Sequence, residues 1–109
     1  MKNPNYIEEV FEVTRMIPKG RVTTYGTIAT FIGLGSSRMV GWALNKSFTE
    51  AEVPAHRVVN RKGELSGRAH FNPPSLMQER LEAEGIKVKN DCIVDFDTVF
   101  WTPFEEEEL

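Results

Sequence analysis

Two short amphipathic helical patterns separated by a glycine-rich turn dominate the first half of the sequence and favour a compact helical fold. The first pattern begins at Tyr25 and stops at Gly33, and either Ser36 or Ser37 can cap the second. Two short helices joined by such a turn form a helix-turn-helix, a motif that many small helical proteins contain. The apolar residues that we expect both helices to turn inward are Ile28, Ala29, Ile32, Met39, Val40, Ala43 and Leu44.

Two further helices flank this motif. Apolar residues recur at steps of three and four over residues 5–17, which predicts an amphipathic helix that Pro18 ends. Residues 73–75, Pro-Pro-Ser, open a last helix, and Gly85 is suited to its C-terminal end. The sequence therefore predicts four helices, none of them long.

Short extended segments complete the prediction. Residues 21–24, 86–88 and 92–96 are typical of short strands, and residues 53–65 contain an apolar, β-branched run followed by a turn. We interpret that last segment as a small hairpin or wing. The predicted fold class is a mainly helical, single winged helix-turn-helix domain with a few short edge strands.

Length and composition set the limits of this fold. A chain of 109 residues with 40% apolar residues can bury one cooperative core, so we assign residues 1–104 to one domain and residues 105–109 to a frayed, solvated acidic tail. No apolar run is long enough to cross a bilayer, and acidic residues interrupt the N-terminal segment, which excludes a secretory signal.

Cys92 is the single cysteine, so neither an intrachain disulfide nor a cysteine-based zinc site can form. We expect no metal and no cofactor. A reducing, cytoplasmic location is the simplest interpretation of this cysteine content.

The charge distribution is uneven. The whole chain has a formal net charge of −3, yet residues 15–68 contain nine Lys and Arg residues against three Glu residues, a net of +6. A basic central half within an acidic chain is typical of a protein with one face that meets phosphate. The alternative is a solvated surface on which charge is scattered by chance.

The segment Pro54-Ala55-His56-Arg57-Val58-Val59 resembles the Pro-Cys-His-Arg-Val motif of the O6-alkylguanine-DNA alkyltransferases. The chain is most similar to their non-enzymatic relatives, the alkyltransferase-like proteins. The resemblance extends over about residues 5–103. Its other matched motifs are Ile17-Pro18-Lys19-Gly20, Thr24-Tyr25, Ser37-Arg38-Met39-Val40-Gly41 and Leu81-Glu82-Ala83-Glu84-Gly85.

The resemblance places Ala55 where the enzymes carry the cysteine that accepts the alkyl group. His56 and Glu84 correspond to the pair that activates that cysteine, and here they have no nucleophile to activate. We expect the two to remain as a structural hydrogen-bonded pair, and we expect Cys92 to be a small buried residue. The chain is therefore predicted not to be an enzyme.

The resemblance also implies a DNA-binding surface and a lesion pocket. Arg38 would intercalate into the space that a flipped nucleotide leaves, and Tyr25 would rotate a phosphate or stack on the extruded base, with the second helix of the motif in the minor groove. A simple phosphate contact and a core tyrosine are the respective alternatives. The predicted DNA-binding residues are Tyr25, Ser37, Arg38, Met39, Gly41, Arg61 and Lys62. The predicted pocket residues are Tyr25, Leu44, Ala55, Val58, Leu65, Ser66, Arg68 and Ala69.

Arg68 occupies a position at which the resemblance implies arginine in the non-enzymatic proteins and tyrosine in the enzymes. There it would hold a flipped alkylguanine by cation–π attraction. An exposed wing arginine near phosphate is the alternative.

The leading hypothesis is a monomeric DNA-damage sensor that binds O6-alkylguanine in duplex DNA, flips it, and retains it without repair. The resemblance implies that nucleotide-excision-repair proteins are further partners. The alternatives are an alkyltransferase inactivated at Ala55, whether natural or engineered, an enzyme that uses Cys92, and a winged-helix regulator that does not distinguish lesions. The loop over residues 45–50 departs from the Gly-Asn-Pro of the enzymes, and Arg68 departs from their tyrosine. Both differences argue against a single engineered change.

Overall fold

A computed structural model describes residues 6–47 and 52–107. Three helices form the N-terminal half: α1 (Tyr6–Met16), α2 (Tyr25–Ile32) and α3 (Ser37–Asn45). Their apolar faces meet in a first core, to which Trp101 from the C-terminal segment also belongs. The helices predicted from the periodicity are confirmed; Asn5 and residues 48–50 lie outside the described residues.

The corner between α2 and α3 forms through local capping. The side chain of Thr24 accepts a hydrogen bond from the Thr27 backbone N–H at 3.0 Å, which caps α2. Gly33 ends α2 with φ 79°, a left-handed conformation that favours glycine. Ser36 then caps α3 by accepting from the Arg38 backbone N–H at 3.1 Å. These contacts produce the helix-turn-helix that the sequence predicts.

The predicted hairpin over residues 53–65 is wrong. Strand β2 (Val58–Val59) pairs in parallel with β1 (Thr23–Thr24), and a single turn of 3-10 helix, Ala55–Arg57, precedes it. Both valines are buried because β2 lies between the two cores, so the strand has no solvent-facing side. Across the turn at residues 61–63, Asn60 N–H donates to Glu64 C=O, and no strand ladder follows.

The C-terminal half surrounds a second core built from α4 (Leu76–Ala83) and the hairpin of β3 (Val88–Lys89) and β4 (Cys92–Ile93). A second 3-10 turn, Arg68–His70, precedes α4. The residues of this core are Val22, Val59, Leu65, Phe71, Met77, Leu81, Ile86 and Ile93.

Two C-terminal predictions are corrected. The strand expected over residues 92–96 ends at Ile93, because Asp95 has φ 57° and starts α5 (Phe96–Val99). The acidic run does not begin as a frayed tail: Glu105 lies in α6 (Phe104–Glu107), and its carboxylate is 3.6 Å from Arg21. Within the described ranges, no helix is long and apolar enough to cross a membrane.

Candidate nucleic-acid interface

Two adjoining cavities lie between α3 and the second 3-10 turn. The outer cavity has a volume of about 440 Å³, and the inner cavity, which reaches Ala55, has about 20 Å³. The outer cavity is lined by Tyr25, Ser37, Arg38, Gly41, Trp42, Asn45, Ser66, Gly67 and His70. The inner cavity is lined by Tyr25, Gly41, Leu44, Asn45, Ala55, Gly67, His70, Phe71 and Met77.

Tyr25 lines both cavities, as do Gly41, Asn45, Gly67 and His70. It is the first residue of α2 and directly follows β1, which fixes its position relative to β2 and the turn that carries Ala55. Burial raises the pKa of the Tyr25 phenol, and a hydrogen bond with the Ser66 side chain partly offsets this rise. A Cβ placed on Gly67 would lie only 2.7 Å from the Tyr25 hydroxyl oxygen, so this approach requires glycine.

The first turns of α3 form the opposite wall of the outer cavity. Arg38 is exposed there, one residue into the helix, and Trp42 follows one turn later with 58% of its surface exposed. Helical spacing places residues four apart on the same face, so both belong to the cavity side of α3. Trp42 is not among the predicted DNA-binding or pocket residues. Its absence from the inward-facing set Met39, Val40, Ala43 and Leu44 is the sequence signal that indicates an exposed side chain.

Behind Ala55, four residues form what we call the Glu84 cluster: Gly20, His56, Arg57 and Glu84. The Glu84 carboxylate accepts hydrogen bonds from the Gly20 backbone N–H at 3.0 Å, from His56 Nε2 at 2.7 Å, and from Arg57 Nε and Nη2 at 3.0 and 2.8 Å. Arg57 Nη1 also donates to the Ile17 carbonyl at 2.8 Å. The cluster therefore joins the end of α1, the first 3-10 turn and α4.

The electrostatics of this cluster favour an ionised Glu84 beside a neutral His56. Burial alone would raise the pKa of Glu84, but hydrogen bonds from Arg57, Gly20 and His56 lower it to about 2. Burial lowers the pKa of His56 below its usual value, and the bond to Glu84 offsets this only in part. With the proton on Nε2, the buried Nδ1 has no hydrogen-bond partner among the described atoms.

Four predicted pocket residues line neither cavity. Val58 and Leu65 are 0% and 1% exposed because they pack into the first and second cores. Arg68 donates from Nη1 to the Leu65 carbonyl at 3.0 Å, with its Nε 3.6 Å from Asp91 Oδ2, and Ala69 is exposed. The structure places the remaining predicted pocket residues, namely Tyr25, Leu44, Ala55 and Ser66, at one or both cavities.

The predicted DNA-binding residues also separate into groups. Ser37, Arg38 and Gly41 line the outer cavity, whereas Met39 is half-buried against the first core. Arg61 and Lys62 are exposed in the turn at residues 61–63.

Part of the positive charge over residues 15–68 is paired or hydrogen-bonded within the protein. Arg57 is bound by Glu84, Arg21 donates to the carbonyls of Val99 and Phe100, and Arg15 lies 3.8 Å from Glu52. These three side chains are already engaged within the protein, which leaves fewer of the nine for phosphate.

Cys92 lies outside this site. It is partly buried in β4, and its thiol is 3.4 Å from the Lys62 carbonyl, so the expectation of a small buried residue is wrong. Among the described residues, no group of three His, Cys, Asp or Glu side chains could hold a metal ion.

Comparison with known proteins gives consistent matches. The DNA-binding domain of 6-O-methylguanine DNA methyltransferase matches residues 5–86. Alkyltransferase-like protein 1 of Schizosaccharomyces pombe is 36% identical over 97 residues, covering 88% of this chain and 90% of its own. The DNA base-flipping protein of Escherichia coli is 34% identical over 103 residues, covering 92% and 77%.

A solved structure extends the comparison to three dimensions. The S. pombe protein Atl1, in complex with damaged DNA containing O6-carboxymethylguanine, superposes with a TM-score of 0.84 at 30% identity. The match covers 94% of this chain and all of that one.

Proposed function

Because the chain belongs to the family of the alkyltransferase-like and DNA base-flipping proteins, we propose that it binds duplex DNA containing O6-alkylguanine and holds the extruded lesion without alkyl transfer. One observation carries this proposal. A cavity of about 440 Å³, walled by Tyr25 and Arg38, leads toward Ala55, a residue with no nucleophile.

Arg38 is suited to stabilise the flipped state. A guanidinium is planar and presents several donors, so it stacks between bases and hydrogen-bonds to an unpaired one. Flipping costs a few kcal/mol of lost stacking and pairing, and a side chain in the vacated space offsets part of that cost. Arg38 stands exposed at the start of α3, where it can reach a duplex docked along that helix.

Alkyl transfer requires a thiolate close to a base, and this site offers only the base. The methyl group of Ala55 cannot attack an alkyl carbon, whereas neutral His56 retains an unpartnered Nδ1. The thiol of Cys92 borders neither cavity. An enzyme that uses Cys92 is therefore disfavoured, and the methyl group of Ala55 leaves binding without transfer as the activity of this site.

A lesion that is held and not repaired remains a protein–DNA complex. Such a complex presents a bound surface and a distorted duplex for as long as it lasts, which is what a damage signal requires. We propose that nucleotide-excision-repair proteins recognise it.

Arg68 is the candidate for contacting the lesion itself, although its contacts in the structure are with Leu65 and Asp91. It lies beside Ser66 and Gly67 in sequence, and those two residues line the outer cavity. To reach an extruded base its side chain must leave the Leu65 carbonyl, to which it donates at 3.0 Å, and Asp91, an exposed partner 3.6 Å away. Exposed ion pairs such as the one with Asp91 contribute little stability. A cation over an alkylguanine ring would contribute about 1–2 kcal/mol.

The decisive experiment compares affinity for matched duplexes that contain O6-methylguanine or guanine. We expect the wild-type chain to prefer the lesion duplex, and its intact mass to remain unchanged after incubation. Arg38→Ala should weaken both complexes and the lesion complex more, whereas Arg38→Lys keeps the charge and loses the planar stack. Equal affinity for the two duplexes would leave a regulator blind to lesions, and an alkyl adduct would show an enzyme.

Arg68→Ala separates lesion reading from phosphate contact. We expect it to reduce the lesion-to-plain affinity ratio about 5–30-fold, the equivalent of about 1–2 kcal/mol. Asp91→Asn is the matched variant, because it removes the ion pair with Arg68 but keeps the arginine, and it should preserve the ratio. If Arg68 contacts only phosphate, its removal weakens both duplexes equally and lowers the salt slope by about one.

A further inference from the structure

Trp42 is exposed at the wall of the outer cavity, where an apolar side chain this large is unusual. It is 58% exposed, while the other tryptophan of the chain, Trp101, is 1% exposed and belongs to the first core. A large aromatic side chain exposed at the wall of a cavity is available to contact a ligand bound there.

Helix geometry aims Trp42 at the same partner as Arg38. The two lie four residues apart on α3, and both line the outer cavity, while Val40, Ala43 and Leu44 are buried against the first core. Gly41 also lines the cavity without adding bulk. The indole is therefore a wall of the cavity, one helical turn from the residue proposed to enter the duplex.

The sizes of the two cavities place an extruded base against this wall. The inner cavity, at about 20 Å³, has room for about one water molecule, and Tyr25 closes it against Gly67. The outer cavity, at about 440 Å³, is within the range of ligand pockets. The inner cavity is too small for a guanine, which leaves the outer cavity, lined in part by Trp42, to receive the base and its O6 substituent.

We propose that Trp42 is a specificity-determining residue whose indole packs on the O6 substituent and the adjoining edge of the extruded base. This inference rests on the proposed lesion binding. It assigns the preferred ligands as guanines with apolar or aromatic O6 groups, because the contact area with the indole grows with the substituent.

The first test measures affinity for three otherwise identical duplexes that contain guanine, O6-methylguanine or O6-benzylguanine. We expect Trp42→Ala to lower affinity about tenfold or more for the benzyl duplex, less for the methyl duplex, and least for plain DNA. Trp42→Phe should restore much of the loss, because it keeps an aromatic face. The control is Met16→Ala, which removes an exposed apolar side chain from a different helix, α1.

The outcomes separate this inference from the proposed function. A wild-type chain without lesion preference would contradict the proposed function itself. A wild-type preference that Trp42→Ala lowers equally for plain and lesion duplexes would make Trp42 a general groove contact and overturn the inference. A loss that is the same for methyl and benzyl groups would overturn the assignment to the substituent. Thermal unfolding of each variant checks that α3 still forms.

The second test uses tryptophan fluorescence. Trp42 should account for most quenching by acrylamide in the free protein, because Trp101 is buried, and Trp42→Phe isolates the Trp101 signal. At saturation we expect a lesion duplex to shield Trp42 more than a plain duplex does. Equal shielding by the two duplexes would contradict the inference independently of the affinities.

Discussion

The two sides of Ala55 differ in how their polar groups are used. In the Glu84 cluster, one carboxylate accepts bonds from a backbone N–H, an imidazole and a guanidinium, and its side chain is 9% exposed. In the outer cavity, Arg38 and Trp42 are exposed to solvent. The Glu84 cluster holds three chain segments together, whereas the outer cavity presents exposed side chains that a ligand can contact.

The comparison teaches how polar groups are held beside a position that carries no nucleophile. His56 donates to Glu84, and Arg57 and Gly20 bind the same carboxylate, which gives it a structural role. None of these hydrogen bonds involves the methyl side chain of Ala55. In the outer cavity, by contrast, Arg38 and Trp42 are exposed and belong to neither core.

The largest expected effect is on stability, from Glu84→Ala. This change leaves a mostly buried guanidinium and removes the bond to the Gly20 turn, so we expect the free energy of unfolding to fall by about 3 kcal/mol. Urea unfolding measures it. Glu82→Ala, an exposed carboxylate on the same helix, is the matched control and should change stability little. Comparable losses from both would remove the distinction between the two regions.

The pH dependence of stability should come from the same cluster. Glu84 has its pKa lowered to about 2 in the folded chain, so its contribution is complete above its usual pKa near 4.5 and is lost as pH falls toward 2. The pKa of His56 is also lowered, so stability starts to fall once pH drops below about 6.5. Unfolding free energies from pH 7 to 3 should therefore decrease, and Glu84→Gln should flatten the acidic part of the profile.

On the cavity side, Gly67→Ala should have a smaller effect. The added Cβ would lie 2.7 Å from the Tyr25 hydroxyl oxygen, so the ring must shift, at a cost of about 1 kcal/mol. The displaced ring would also alter the wall of both cavities and weaken lesion binding. Combining Gly67→Ala with Tyr25→Phe removes the clashing oxygen and should recover stability relative to Gly67→Ala alone. A double variant no more stable than the single one would contradict this account of the contact.

The smallest effect concerns the exposed turn at residues 61–63. Lys62→Ala should leave stability almost unchanged, weaken plain and lesion duplexes alike, and lower the slope of log K against log salt by about one. For the wild-type chain, about five phosphate contacts would give a slope of roughly −4 to −5. A slope near zero would show that the basic residues outside the Glu84 cluster do not meet phosphate.

The sequence was sufficient to predict α1 to α4, because the signals of these helices are local. The spacing of Val10, Phe11, Val13 and Ile17, the left-handed Gly33, and the caps at Thr24 and Ser36 each act within a few residues. The partner of β2 could not be predicted in the same way. Val58 and Val59 are both buried and show no alternation, and their partner strand lies far away in sequence.

The site was predicted unevenly for the same reason. Resemblance indicated His56 and Glu84, and their hydrogen bond is present, but the charge count treated Arg57 as available for phosphate when it is held by Glu84. That pairing depends on how α4 packs against the first 3-10 turn. Leu65 and Val58 were assigned to the pocket from motif position alone, whereas their side chains face the cores.

The two-residue parallel ladder between β1 and β2 also bears on how this chain can change in length. Thr24 immediately precedes Tyr25, and Val58 immediately follows the turn that carries Ala55, so the ladder sets the spacing between the two residues. Extra residues inserted after Ser47 would then extend a connection whose ends are already tied. Each doubling of such a loop costs only about 0.6 kcal/mol in closure entropy. Insertions and deletions after Ser47 can therefore accumulate during evolution while the spacing between Tyr25 and Ala55 is kept.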